Sequence, residues 1–349
     1  MYRSLLRLAV AAGATVLVGC ATSVPPNSLA VKEIGSFHVG GRTATLTGLP
    51  EKEVRFTPTQ PPTRLNPNGE FEVEQMYVQY TKLADEARKG AHPMVMMHGG
   101  GLAGVTWETK PDGGPGWQMY FLRQGHDVYI ADAVERGRAS WARYPEIFTS
   151  EPVFRTKKEA WELFRFGPRY EVSPPLREAH PGVQFPLQSF DQFMKQGVPR
   201  WVTNDAPTLA AYEAMALKTC PCTIVVHSQG STFAYNVARK YPHLVKAIVG
   251  IEPSGALDPE KVDMAPLKSV PMLFVWGDKI RETPRWVGIV APLHKMIAAQ
   301  RAQGGVADEI DLPKMGITGN SHMLMMDRNS DQVAALVQKW LVDRGLSRP

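Results

Sequence analysis

Apolar residues in this chain fall in short consecutive runs separated by longer stretches of helical periodicity. Met94-Val95-Met96-Met97 is one such run. Asp127–Ala131, Thr223–Val226, Ala247–Ile251 and Met272–Trp276 are others. Each predicts a short buried strand, and Glu309–Leu312 reads as the last strand. Trp117–Gln124, Asp205–Lys218, Thr232–Lys240 and Asp331–Arg344 predict helices between or after them, with Asp205 a candidate N-cap. Nearer the start, His38–Gly48 and Phe71–Lys82 alternate in part and predict an antiparallel portion. The expectation is an α/β fold, with a mostly parallel central sheet flanked by helices.

One segment does not fit the alternation. From residue 139 to about 204 the chain is rich in proline and aromatics, including Trp141, Trp161, Phe164, Phe166, Phe185 and Trp201. Its helical periodicity is weak. A structureless loop of that length is unusual without function. The segment is expected to be a cap insertion within one domain spanning 33–349.

The amino terminus reads as an address. Arg3 and Arg7 precede an apolar run, Leu8–Val18, in the layout of a secretory signal peptide. It ends in Leu17-Val18-Gly19-Cys20, which resembles a bacterial lipobox with Cys20 as the lipidated residue. Residues 1–19 are then the leader and 20–32 a tether. The alternative is an ordinary signal peptide with a chance cysteine. Several acyl chains together anchor stably. The expected location is the bacterial cell envelope, lipid-anchored, with Ala21 after the cysteine favouring the outer membrane.

Composition changes this picture little. The 349 residues can bury a large core. A hydrophobic share of 44% and a charged share of 21% are ordinary for a globular chain. The formal net charge of +5 includes the two leader arginines, and no basic stripe points to nucleic acid. No apolar run in the body is long enough for a membrane span. No metal-ligand set and no cofactor motif is visible, so neither is expected. Cys220 and Cys222 flank Pro221, and in an exported protein they either pair or stay as two buried thiols.

The chemistry centres on Val226-His227-Ser228-Gln229-Gly230. It lies between a predicted strand and a predicted helix. A sharp turn there would lift the serine oxygen out of the sheet, as in the G-x-S-x-G nucleophile elbow. Val226 stands where that pattern has its first glycine and must be accommodated by a small shift. Upstream, His98-Gly99-Gly100-Gly101 follows a strand. Glycines there let backbone N–H groups reach a substrate carbonyl and stabilise its developing charge. Gly100, Gly101 and Gln229 are the candidate oxyanion donors. Downstream, Gly319-Asn320-Ser321-His322-Met323 precedes the last helix. Of nine histidines, His322 alone occupies the place of a base after the last strand.

Two carboxylates compete for the third role. The strand Met272–Trp276 runs into Gly277-Asp278-Lys279-Ile280, where the usual acid position is held by Ile280. Asp278 comes too early, where aspartate commonly caps a turn. One strand earlier, Ile251 is followed by Glu252-Pro253. Glu252 is preferred, because a carboxylate there can also reach the histidine.

Taken together, His98-Gly99-Gly100-Gly101, Pro111-Asp112-Gly113, His227-Ser228-Gln229, Ile251-Glu252-Pro253 and Gly319–Met323 resemble the α/β-hydrolase superfamily. Within it the chain is similar to a bacterial secreted esterase group with a Ser-Glu-His triad whose acid follows the sixth strand. The resemblance implies an α/β-hydrolase fold and a carboxylesterase-type serine hydrolase. The expected reaction is hydrolysis of small, apolar or aromatic esters through an acyl-enzyme. An acyltransferase on the same fold, or a lipid-anchored binding protein without chemistry, are the alternatives. The partners expected are a small ester substrate and, through the lipid anchor, the membrane, with a homodimer as a further candidate. Trp107 and Trp117 flank the oxyanion loop and could wall the alcohol side of a pocket. Met323, with Met96, Met97, Met119, Met325 and Met326, either lines a pocket for apolar groups or fills the core.

Overall fold

The computed structural model describes residues 28–349. The expected leader, Cys20 and most of the expected tether lie outside the described residues. Eight strands make one sheet: β1 Val31–Leu46, β2 Gly69–Leu83, β3 Met94–Met97, β4 Val128–Asp132, β5 Cys222–His227, β6 Val245–Ile251, β7 Met272–Trp276 and β8 Ala307–Asp311. Their spatial order is β1-β2-β4-β3-β5-β6-β7-β8. β2 pairs antiparallel with both β1 and β4, and the remaining pairs are parallel. The amino-terminal hairpin is longer than its alternation predicts. β1 already starts at Val31, so the last two residues of the expected tether are strand.

Side chains of the parallel strands alternate between two cores. Met94, Met96, Val225, Val249, Ile251, Leu273 and Val275 face one side. Val95, Met97, Ile224, Val226, Ile248, Phe274 and Trp276 face the other. Both faces are covered, which is why these strands read as unbroken apolar runs. The helices are α1 Trp117–Arg123, α2 Lys157–Leu163, α3 Phe190–Met194, α4 Asp205–Thr219, α5 Gly230–Lys240, α6 Pro284–Ala302 and α7 Ser330–Asp343. α1 and α7 lie against the first core, and α4, α5 and α6 against the second. Asp205 is the first residue of α4 rather than its cap. Asn204 holds the cap position and uses its side-chain amide to reach Val134 O at 3.2 Å.

The inserted segment folds on its own aromatic cluster. It contains α2, α3 and a small hairpin, Arg169–Glu171 with Leu176–Glu178. Trp161, Phe164, Phe166, Phe185, Phe190 and Phe193 are buried together and join the first core. Phe166 and Phe185 centroids are 4.1 Å apart, and Trp161 meets Phe190 edge-on at 5.0 Å. Cys220 is joined by a disulfide to Cys222, the first residue of β5.

Candidate active site

The carboxyl ends of β3, β5, β6 and β7 converge, and each delivers one part of the site. After β5 the chain turns sharply at Ser228, whose φ of +52° lies in the left-handed region that non-glycine residues rarely adopt. The Ser228 N–H donates to Ile251 O at 3.2 Å, and its carbonyl accepts from the N–H groups of Ser231 and Ser254, each at 3.1 Å. These bonds hold the turn in place. Val226, at the first position of the elbow pattern, is fully buried in the second core. Its Cγ2 lies 2.9 Å from where a Gly230 side chain would begin, and His98 O lies 2.6 Å from that point. Glycine at 230 therefore makes the room that valine at 226 takes.

His322 sits 1% exposed on the loop between β8 and α7. Its ring packs against Trp286 at 4.5 Å, Phe164 at 5.2 Å and His227 at 4.4 Å. His227 is the residue before Ser228, and its Nε2–H donates to His322 O at 3.0 Å. His322 Nδ1 meets Glu252 Oε2 at 3.2 Å. Ser228 Oγ is hydrogen-bonded to Ser254 Oγ at 3.2 Å, and among the described residues it makes no such bond to His322. Burial, followed by the Arg165 and Arg155 cations, holds His322 well below the ordinary imidazole range. It is a neutral imidazole at neutral pH.

Glu252 ends β6 with φ +46° and no exposed surface. Burial pushes its carboxyl up, and Arg165 with the Gly277 N–H pull it back. Oε1 accepts from Arg165 Nη2 at 2.7 Å and from Gly277 N at 2.5 Å. With His322 Nδ1 on the other oxygen, both carboxyl oxygens have partners that favour the charged form, against a burial that still leaves the group above the ordinary carboxylate range. A side chain at Gly277 would begin 2.6 Å from Oε1, so only glycine leaves room for this seat. Asp278 does other work. Its Oδ2 accepts from Gly319 N at 2.8 Å and its Oδ1 from Lys279 N at 2.7 Å, which ties the β7 turn to the histidine loop. Ile280 packs against the second core.

The glycine loop after β3 closes over Ser228. A side chain at Gly99 would begin 2.9 Å from Ser228 Cβ and 2.7 Å from His227 Nδ1. Buried His98 anchors the loop: its Nε2 accepts from Ala133 N at 3.1 Å, so Nδ1 carries the proton and donates to Gly99 O at 2.8 Å. Burial lowers His98 to about 4, which keeps it neutral in that role. The N–H groups of Gly100, Gly101 and Gln229 donate to no acceptor among the described residues. Gly101 takes φ +71°, and its carbonyl accepts from Val198 N at 3.0 Å, linking loop to cap.

Three residues that matter here carried no recognised signal in the sequence. Arg165 comes from the insertion and is 2% exposed. Besides Glu252 it donates from Nε to Asp278 O at 2.7 Å and lies over Trp286 at 4.5 Å. Its place between Phe164 and Phe166 was the available clue, since a cation inside a buried aromatic run must have a partner. Asp327 is fully buried and accepts from Ser321 N, Ser321 Oγ and Asn320 Nδ2 at 2.7–2.9 Å, shaping the histidine loop. Ser254 is the present partner of Ser228 Oγ.

The pocket expectations need correction. Trp107 and Trp117 have no exposed surface and meet at a tilt, centroids 5.9 Å apart, within the first core, and Trp117 Nε1 donates to Ser330 O. Met323 lies in that core with Met96, Met325 and Met326. None of these lines the cavity that opens beside the site. That cavity, about 230 Å³, is bounded by Gly101, Leu102, Phe154, Arg155, Phe164 and Phe193, among others, between the glycine loop after β3 and the segment 139–204.

No family model matches the chain. The chain is similar to the solved structure described as "The Atomic Resolution Structure of a Novel Bacterial Esterase", with 35% identity and a TM-score of 0.77 over 93% of this chain and 99% of that one. It is also 25% identical to the "Probable secreted lipase phiG" of a fungal species (strain ATCC 74256), over 96% of this chain and 98% of that protein. With its strand order and elbow, this chain belongs to the α/β-hydrolase superfamily. It is an esterase-type hydrolase of carboxylic esters.

Proposed function

We propose that the chain cleaves small carboxylic esters through an acyl-enzyme on Ser228. His322 removes the serine proton as Oγ attacks the ester carbonyl, and then gives that proton to the leaving alkoxide. The same imidazole next takes a proton from the water that attacks the acyl carbonyl, and returns it to Ser228 Oγ as the bond from serine to the acyl carbon breaks and the acid leaves. Glu252 fixes the Nδ1–H tautomer and stabilises the imidazolium that forms. The N–H of Gln229 with that of Gly100 or Gly101 receives the oxyanion. For attack, the Ser228 hydroxyl must leave Ser254 for His322, a change expected when the substrate complex forms.

The observation that carries this reading is the Glu252–His322 hydrogen bond at 3.2 Å, set against an elbow serine with φ +52°. The unpaired N–H groups of the glycine loop add to it. The test is rapid mixing with 4-nitrophenyl acetate. A burst of nitrophenol of about one equivalent, followed by slower turnover, is the expected signature of acylation ahead of hydrolysis. Steady release with no burst, unchanged by added nucleophiles such as hydroxylamine, would contradict an acyl intermediate.

We further propose export and lipid anchoring at Cys20. The charged and apolar leader supports export, as does the name of the secreted fungal relative. Mass spectrometry of protein from the native host should find Cys20 as the acylated first residue. An unmodified chain beginning elsewhere would overturn the anchor.

A further inference from the structure

We propose that Arg155 and Arg200 form a recognition site for a carboxylate carried by the ester substrate, so that the preferred substrate is a small anionic ester. The proposal rests on the esterase reading above and adds the chemistry of the substrate. Both guanidinium groups stand over the oxyanion loop. Arg200 Nη1 lies 3.3 Å from where a Gly100 side chain would begin, and Arg155 Nε lies 3.8 Å from the corresponding point of Gly101. Each arginine is held by structure rather than by a tether of side chain alone. Arg200 pairs through its backbone with Val153, at 2.8 and 2.9 Å. Arg155 immediately precedes Thr156, whose hydroxyl caps α2, and lies over the Phe164 ring at 5.2 Å.

Their charges are poorly answered by the protein. Arg155 Nη1 pairs with Glu159 at 2.8 Å, but its Nε is buried without a partner. Arg200 makes no ion pair among the described residues, and its Nε is also buried and unpartnered. The two cations lie close enough to disfavour one another. Burial, and then Arg285 and Arg200, push the Arg155 guanidinium below its usual value, while Glu159 supports it. Unpaired buried donors and adjacent like charges both cost stability. A planar carboxylate accepting from the guanidinium forks would relieve both.

The adjoining cavity sets the remaining shape. Its volume is about 230 Å³ and most of its walls are apolar, from Leu102, Phe154, Phe164 and Phe193. An apolar cavity of about 150 Å³ can hold a benzene ring, so this space suits a short chain or one small ring. The substrate this describes has a small apolar body, an ester carbonyl at Ser228 and a free carboxylate at the arginines.

The experiment compares two pairs of isosteric esters at low ionic strength. Ethyl hydrogen succinate and ethyl 4-methylpentanoate place or omit the charge on the acyl side. Acetoxyacetate and isobutyl acetate do so on the alcohol side. In at least one pair the anionic member should show kcat/KM roughly ten- to a hundredfold above its neutral partner, the range of charge-assisted hydrogen bonds. That ratio should shrink with added salt, and should fall about tenfold or more in Arg155→Gln and in Arg200→Gln. A ratio does not depend on how much of each variant folds. Equal or better turnover of the neutral member in both pairs would overturn the proposal, as would a ratio that neither substitution moves. Turnover of none of the four esters would contradict the esterase reading itself.

Discussion

Glu252 Oε2 lies 3.2 Å from His322 Nδ1, which joins the end of β6 to the loop ahead of the last helix. The seventh-strand carboxylate, Asp278, is turned to the backbone of Gly319 and Lys279 instead. This division of labour gives the first prediction. Glu252→Gln keeps the shape and removes the charge, and should lower kcat by roughly 10² to 10⁴. Asp278→Asn should cost less than about tenfold in kcat and show itself as a lower melting temperature, since it weakens one or two neutral-donor hydrogen bonds. A larger kcat loss in Asp278→Asn than in Glu252→Gln would reverse the assignment.

Ser228→Ala and His322→Ala should each lower kcat by roughly 10⁴-fold or more, with far-UV circular dichroism unchanged. Ser254→Ala removes only the partner of the resting hydroxyl and should stay within about tenfold of the parent, the effect of one neutral hydrogen bond. Steady-state kinetics on a single soluble ester decides all three.

The pH profile follows from the surroundings of His322. On the proposed mechanism the active form is the neutral imidazole, so kcat/KM should rise with pH through the ionisation of the free enzyme. Burial and the Arg165 and Arg155 cations favour that neutral form. The rise should therefore be complete below pH about 6.5, the ordinary histidine value. Arg165→Met removes one cation and should move the inflection upward while lowering kcat, because Glu252 then loses a buried partner. Arg165→Lys should restore part of both. An inflection that stays put in Arg165→Met, at reduced kcat, would mean that the arginine acts on folding alone.

Gly277→Ala asks whether the carboxylate seat is as tight as it looks. The added methyl would begin 2.6 Å from Glu252 Oε1 and 3.0 Å from Ser321 O. Either the acid or the histidine loop must move, and a displacement of about 1 Å can cost on the order of 10²-fold. The kcat of this variant should fall toward that of Glu252→Gln with little change in KM. Parental kcat would show that the seat is loose.

Much of this arrangement is legible in the sequence because it is local. The inner parallel strands, β3 to β7, read as apolar runs, since each is buried on both faces. The elbow, glycine loop and histidine loop each sit at the end of such a run. The preference for Glu252 over Asp278 came from the same reasoning, with Ile280 in the usual acid position. What stayed hidden depends on contacts between distant segments. Arg165 reaches Glu252 across 87 positions of sequence. α6 carries proline at its first position and Pro292 inside, so its pattern did not announce a helix of 19 residues. Trp107 and Trp117 flank the oxyanion loop in sequence, yet the chain folds them into the core. Nearness along the chain points to the segments that meet around Ser228 and His322 but not to the residues that wall the cavity beside them.

The central claim is that Ser228 is the activated nucleophile, and its neighbour Ser254, 3.2 Å away, provides an internal control. The most direct measurement is reaction with a fluorophosphonate followed by peptide-level mass spectrometry. The predicted result is one adduct per chain, on the peptide containing Ser228, absent in Ser228→Ala and strongly reduced in His322→Ala and Glu252→Gln. An adduct on Ser254, or a folded protein that takes up no phosphonate, would contradict it.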